Sequence, residues 1–228
     1  MVITGTSRGI GKYLASYYCE KGFTVIGCSK KPLEYQTNEN YHHFCLDIHD
    51  EKKVKELFSF IRKTFGRLDI LINNAGIASM NHSLLTPTST VEKILNTNIA
   101  GTFLFCRESA KLMKKFFFGR IINFSTIAVP IKLEGEAIYA SSKSAVNTLS
   151  QILSREYSSY GITVNVIAPT LVETDLIKKV SDTKKEKILQ KIAIPKYTQM
   201  NDITNVIDFF IKSESNLITG QIIYLGGP

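Results

Sequence analysis

The sequence predicts one α/β domain built on a doubly wound parallel sheet of about seven strands flanked by helices. Three observations predict it. Short stretches that are apolar on both faces alternate with longer stretches of helical period, the pattern of a parallel sheet covered by helices on both sides. A glycine-rich turn, Gly5-Thr6-Ser7-Arg8-Gly9-Ile10-Gly11, stands between the first apolar stretch and the first helical one. No repeat, low-complexity tract or linker divides the 228 residues, so residues 1–228 are read as a single domain.

Taken in order, Val2–Thr4 is a short first strand, and the helix after the glycine turn ends at Lys21-Gly22, where glycine suits the left-handed position past a helix end. Residues 24–28 and 41–46 are the second and third strands. Residues 50–65 form the clearest helix: Val54, Leu57, Phe58, Ile61 and Phe65 share one face, Asp50 can cap the start, and Gly66 stops it. Ile70–Asn73 is the fourth strand. A long helix follows over residues 90–117, then a strand over 120–124, a helix over 136–160 closed by Gly161, and a strand over 162–167. Residues 202–212 read as a helix and 221–225 as a seventh strand. Such sheets bind ligands beyond the carboxyl ends of their strands, where the strand order reverses. The chemistry is therefore expected in the turns after the first, fourth, fifth and sixth strands.

Composition narrows the partners. Hydrophobic residues at 44% and charged residues at 21% exclude a disordered chain. The net charge of +8 attracts anions in general: nucleic acid, phosphorylated cofactors or acidic carrier proteins. The basic clusters in residues 111–115 and 178–191 lack the interleaved aromatics of a single-strand-binding groove and read as solvated helix faces, so nucleic acid is not expected. No apolar run approaches the ~20 residues that span a bilayer, and no secretory signal is seen. The expectation is a cytoplasmic protein with no membrane contact. Cys19, Cys28, Cys45 and Cys106 share no metal-ligand or redox spacing, so no metal is expected.

Three motifs carry chemistry. In the first turn, glycines let the backbone approach a pyrophosphate, and the next helix presents free N–H groups and a favourable dipole; three glycines there also serve as plain turn punctuation. Asn73-Asn74-Ala75-Gly76, after the fourth strand, lets a second backbone segment pass a cofactor, and is equally an ordinary Asn/Gly turn. In Tyr139-Ala140-Ser141-Ser142-Lys143 a phenol and an ammonium stand four apart on one helix face. A nearby ammonium lowers a phenol's pKa from about 10, so that it can exchange a proton with a carbonyl or alcohol. Taken singly, the pair is common.

Together, in this order, the three motifs resemble the short-chain dehydrogenase/reductase family. The resemblance runs from Val2 to Gly227 and includes Asp47 with Ile48, Asn98, the stretch from Asn165 through Pro169 and Thr170, Val172 with Thr174, and Gly226-Gly227. It implies a seven-stranded Rossmann fold, a nicotinamide cofactor and an Asn-Ser-Tyr-Lys tetrad. Tyr139 matches the acid/base, and Lys143 the lysine that holds the nicotinamide ribose and supports the phenolate. Asn98 matches the asparagine of a helix kink and proton relay. The family serine lies thirteen residues before the tyrosine; Thr126 stands there, preceded by Ser125, so Ser125, Thr126 and Tyr139 are the expected substrate contacts. The β-branched threonine is a departure that bears on rate and substrate size. Thr170, where many relatives carry glycine, is another.

The residues expected to bind the cofactor are those from Gly5 to Gly11, Ser29, Lys30, Asp47, Ile48, Asn74, Ala75, Gly76, Tyr139, Lys143, Pro169, Thr170, Val172 and Thr174. NADP(H) is expected in preference to NAD(H). The end of the second strand carries neutral Ser29, followed by Lys30 and Lys31, where an NAD enzyme places an acid, and Arg8 adds a cation for a 2′-phosphate. Residues 171–227 are most similar to the 3-oxoacyl-acyl-carrier-protein reductases. That likeness implies an acyl-carrier-linked carbonyl substrate, an acidic carrier protein docking at Arg120 and Lys178, and a homotetramer or homodimer assembled on the two long helices. Residues 170–199 are expected to form a mobile lid. A reductase of a sugar or small ketone remains an alternative, as does a non-catalytic dinucleotide-binding scaffold.

Overall fold

The computed structural model describes residues 1–33, 39–175, 177 and 180–228. Its strands are β1 (Val2–Thr4), β2 (Val25–Ser29), β3 (Tyr41–Cys45), β4 (Ile70–Asn73), β5 (Gly119–Phe124), β6 (Ile162–Ala168) and β7 (Ile222–Tyr224). All pair in parallel in the order β3-β2-β1-β4-β5-β6-β7. The order reverses between β1 and β4, which opens a crevice at their carboxyl ends. This is the doubly wound, Rossmann-like sheet that the sequence predicts.

The helices are α1 (Gly9–Glu20), α2 (Glu51–Thr64), α3 (Thr88–Leu95), α4 (Thr102–Met113), α5 (Ala128–Ile131), α6 (Ala137–Tyr157), α7 (Asp182–Leu189) and α8 (Met200–Ile211). Alternate residues of each strand feed opposite cores. Val2, Leu71, Ile121 and Val164 pack with Leu57 and Ile61 of α2, Phe105 of α4 and Leu153 of α6. Ile3, Ile72, Ile122 and Ile167 pack with Leu14 and Tyr18 of α1 and with Ile203, Ile207 and Phe210 of α8. Each fully buried aliphatic side chain contributes about 1.5–3 kcal/mol by leaving water, so the sheet is held from both faces. Asp50 caps α2 by accepting from Lys53 N at 3.2 Å, as expected.

Three elements differ from expectation. The helix over 90–117 is not continuous: a π turn, Asn96–Gly101, separates α3 from α4. Its cause is Asn98, whose amide nitrogen donates to Ile77 O and Ser142 Oγ while its oxygen accepts from Ile77 N. Short α5, after β5, was not predicted, and α7 lies within the segment expected to be a mobile lid, where the basic cluster reads as a solvated helix face without bounds. α7 has too few apolar residues for a clear periodic signal. Thr170, the residue in place of glycine, ties that segment down: its hydroxyl donates to Lys196 O at 3.0 Å, accepts from Thr198 N at 3.0 Å and lies 2.7 Å from Thr198 Oγ1.

Candidate active site

A cleft of about 780 Å³ lies beyond the carboxyl ends of β1, β4, β5 and β6, within the size range of cofactor sites. Most of the residues singled out from the sequence line it. Thr6, Gly11, Asp47 and Asn98 do not, and each has a supporting position instead.

The glycine turn shows why its residues are small. Gly5 has a φ of +75°, open to glycine at little strain. A Cβ at Gly11 would fall 2.2 Å from Gly5 O and 2.5 Å from Asn74 Nδ2. The first turn and the Asn74 turn are thus pressed together: Asn74 Nδ2 donates to Thr4 O at 2.9 Å, and Ala75 N donates to Thr4 Oγ1 at 2.9 Å. Thr6 is buried, and its hydroxyl accepts from Tyr41 OH at 2.7 Å. This backbone cradle at the start of α1 fits a dinucleotide pyrophosphate.

At the end of β2, Ser29 Oγ donates to Lys31 O at 2.7 Å and lies 3.1 Å from His43 Nε2. Lys30, expected to meet the cofactor, forms an ion pair with Asp47. Burial pushes the Asp47 carboxyl up, but hydrogen bonds from Lys30 and His49 outweigh it and hold the group below its ordinary range. Arg8 and Lys31 both line the cleft.

The catalytic end is carried by β5 and α6. Tyr139 and Lys143 stand one turn apart on α6, and Lys143 Nζ donates to Phe124 O at 2.8 Å. A Cβ at Gly76 would lie 3.2 Å from Lys143 Nζ and 3.4 Å from Asn98 Oδ1, so a glycine keeps the floor of the cleft clear. Thr126 and Tyr139 both line the cleft, and the threonine hydroxyl near the phenol favours its ionised form. Ser125 turns the other way, its hydroxyl directed at Lys143 O at 3.4 Å. Asn98 lies behind the cleft and holds Ile77 and Ser142 in place.

The electrostatics correct one expectation. The phenol of Tyr139 is not lowered by its lysine in the protein alone. Burial, then the Glu136 carboxylate, push its pKa up to about 12, and the nearby Thr126 hydroxyl offsets part of that. Lys143 is itself buried, which brings its pKa down to about 8. Desolvation governs both groups.

A second correction concerns the carrier-protein site. Arg120 is 2% exposed and is the second residue of β5, at the end of the sheet opposite the cleft. Its guanidinium donates to Gly119 O, Lys212 O and Ser213 O and lies over the Phe118 ring. It therefore closes the carboxyl end of α8 and cannot meet a partner at the cleft mouth. Lys178, paired with it in that expectation, and Lys179 lie outside the described residues.

Sequence reasoning missed Glu136, Met80, Leu133 and Ile188, which line the same cleft as Tyr139. Glu136 had a legible signal, since it stands one helical turn before Tyr139. The others come from loops and α7 and had none. No cluster of metal-ligating side chains and no helix able to cross a membrane occurs among the described residues.

A parallel sheet with a phosphate cradle at its switch point and a Tyr/Lys pair lining the same cleft at the next strand end defines a dinucleotide-dependent oxidoreductase. The comparisons carry this further. A family model described as short chain dehydrogenase matches residues 1–185. The chain is 31% identical to the 3-oxoacyl-[acyl-carrier-protein] reductase FabG of Escherichia coli strain K12, over 99% of this chain and 95% of that one. It is 32% identical to the protein of the same name from Staphylococcus aureus strain Mu50, over 99% and 96%. Among solved structures, ElxO with NADP bound matches with a TM-score of 0.89 and 31% identity, over 98% of this chain and 95% of that one. The chain belongs to the short-chain dehydrogenase family and is an oxidoreductase acting on CH–OH and C=O groups.

Proposed function

We propose that the protein reduces the ketone of a 3-oxoacyl thioester, with Tyr139, Thr126, Lys143 and Asn98 as its working residues. Its cofactor is NADP(H), in keeping with the NADP-bound neighbour and with neutral Ser29 beside Lys31 and Arg8 in the cleft. The cradle of Gly5 to Gly11 and Asn74 would hold the pyrophosphate, and Lys143 the nicotinamide ribose. When bound, the cofactor supplies a hydride to the carbonyl carbon.

The observation that carries this reading is that Thr126 and Tyr139 both line the cleft, with the threonine hydroxyl close enough to the phenol to favour its ionised form. Two hydroxyls side by side can meet one carbonyl oxygen. Thr126 donates a hydrogen bond to it, and Tyr139 passes its proton to it as the alcohol forms. A phenol held at about 12 keeps its proton until that moment, which suits reduction. Lys143, still cationic below about pH 8, favours the phenolate left behind. Asn98 is a positioning residue that fixes Ile77 against α6.

The thioester substrate is supported by the likeness to the two 3-oxoacyl-[acyl-carrier-protein] reductases. With Arg120 ruled out, the cations that suit an acidic carrier are Lys187 of α7 and Lys191 after it, both exposed beside Ile188 of the cleft. Assembly into a homotetramer or homodimer is supported by Phe103 of α4 and Ile152 of α6, at 38% and 49% exposure. A non-catalytic scaffold is disfavoured by the intact Tyr139, Lys143 and Asn98.

The test is NADPH oxidation with acetoacetyl thioesters, free and carrier-linked, against simple ketones and keto-sugars. The thioesters turn over fastest, and Tyr139→Phe loses at least about a hundredfold in kcat while still binding NADPH. More than a few per cent residual activity in that variant removes Tyr139 as the acid, and a keto-sugar turned over faster than the thioesters overturns the substrate class.

A further inference from the structure

Glu136 is the one carboxylate in the cleft whose surroundings give it nothing to do among the described residues. It is 2% exposed and lines the cleft with Tyr139, Leu133, Met80 and Ile188. Although it stands at the N-cap of α6, its side chain makes no capping bond. Its backbone does the helical work, the carbonyl accepting from Ala140 N at 2.7 Å. Its Oε2 has no hydrogen-bond partner among the described residues. Burial raises its pKa, and Lys184 of α7 pulls in the opposite direction without forming a hydrogen bond to Oε2.

A buried acceptor left unpaired costs about 1–3 kcal/mol, and more for a charged group. The fold keeps this one a helical turn from the proton donor, in a cleft that Leu133, Met80 and Ile188 also line. A ligand group that donates a hydrogen bond to this carboxylate, once its side chain turns the unpaired oxygen to the cleft, relieves that cost, and a second carboxylate brought against it adds to it. Discrimination of this kind is large because a site built around a buried polar group rejects what fails to pair with it.

We propose that Glu136 determines substrate specificity by accepting a hydrogen bond from an N–H or O–H group that the substrate carries near its reacting ketone. Uncharged ketones bearing an amide or hydroxyl are selected, and keto acids with a free carboxylate are excluded. The inference rests on ketone reduction at this site and names the class of ketone.

Acetoacetamide and acetoacetate test it, since they share a skeleton and differ in an N–H donor against a carboxylate. Their binding to the NADP-loaded protein is measured by calorimetry, and their kcat/KM by NADPH oxidation, for wild type and Glu136→Gln. Wild type favours acetoacetamide by at least about tenfold in both measurements, and Glu136→Gln narrows the ratio to within about threefold, chiefly by admitting acetoacetate. A wild-type preference for acetoacetate, or a ratio unchanged in Glu136→Gln, overturns the proposal. Should no ketone be turned over, ketone reduction fails as the activity, while the binding ratio still decides the role of Glu136. Misfolding of the variant leaves the wild-type ratio as the deciding measurement.

Discussion

The two ends of the sheet each hold a buried cation, and they use it differently. At the amino end of β5, Arg120 spends its guanidinium on the carbonyls of Gly119, Lys212 and Ser213 and on the Phe118 ring. At the carboxyl end, Lys143 donates to Phe124 O and faces the cleft with the rest of its ammonium. Burial lowers the pKa of both. The difference teaches that burial alone does not mark a functional cation. What separates the two is whether the donors are already used: those of Arg120 close a helix end, and those of Lys143 are left for a ligand.

Exchanging each cation for an apolar residue breaks the comparison most sharply. Lys143→Met lowers kcat/KM by about a thousandfold, within the range for loss of a group serving proton transfer and orientation, and leaves thermal stability equal or higher. Arg120→Leu does the reverse. It frees carbonyls at the end of α8, costs about 2–3 kcal/mol and lowers Tm by about 5–10 °C, with kcat per folded molecule unchanged. Thermal melts and steady-state kinetics on the same samples read both, and equal losses of activity in the two variants would refute the contrast.

The adjacent hydroxyls of Ser125 and Thr126 sharpen the picture of the carboxyl end. Thr126→Ala lowers kcat by about 10- to 100-fold, a loss of the size set by one hydrogen bond to the reacting oxygen. Ser125→Ala changes it by less than about threefold, and Thr126→Ser restores or raises the rate. A larger loss from Ser125→Ala would move the substrate hydroxyl to that residue.

The smallest effect is one of pH. The folded pKa of Lys143 is lowered to about 8 from 10.5, so between those values the unfolded chain binds the extra proton and stability rises with pH. The penalty is present in full below about pH 8. The cofactor-free protein therefore gains up to about 1.4 kcal/mol per pH unit from pH 8 to 10, above which Tyr139 begins to act in the opposite sense. Denaturant melts of wild type and Lys143→Met show a stability gap that is widest at pH 7 and narrows towards pH 10; a constant gap refutes the assignment.

The strands were legible because a sheet buried on both faces writes its signal into a few consecutive residues, as at Ile70–Asn73. The glycine turn and the Tyr139/Lys143 pair were legible because backbone approach and helix spacing restrict residue type locally. Arg120 was misplaced because its position within the strand decides which end of the sheet it occupies, and a motif match does not ask that question. Glu136 escaped because its importance lies in what it lacks, a partner, and no spacing records an unmade bond. The break at Asn98 was implied by the family resemblance but not by periodicity: the apolar period runs on through it, and only the reach to Ile77, in a distant loop, forces the turn open.

That π turn also sets a rule for changes in chain length. Asn96–Gly101 holds one residue more than an α-helical path requires, and the surplus sets the angular phase between α3 and α4. Removing a single residue there would yield an unbroken helix with better local hydrogen bonding, yet would swing one flank by roughly 100° about the axis. Phe105 would leave its core or Asn98 would leave Ile77. A deletion series through this stretch should therefore produce chains that gain helix content by circular dichroism as they lose the enzyme.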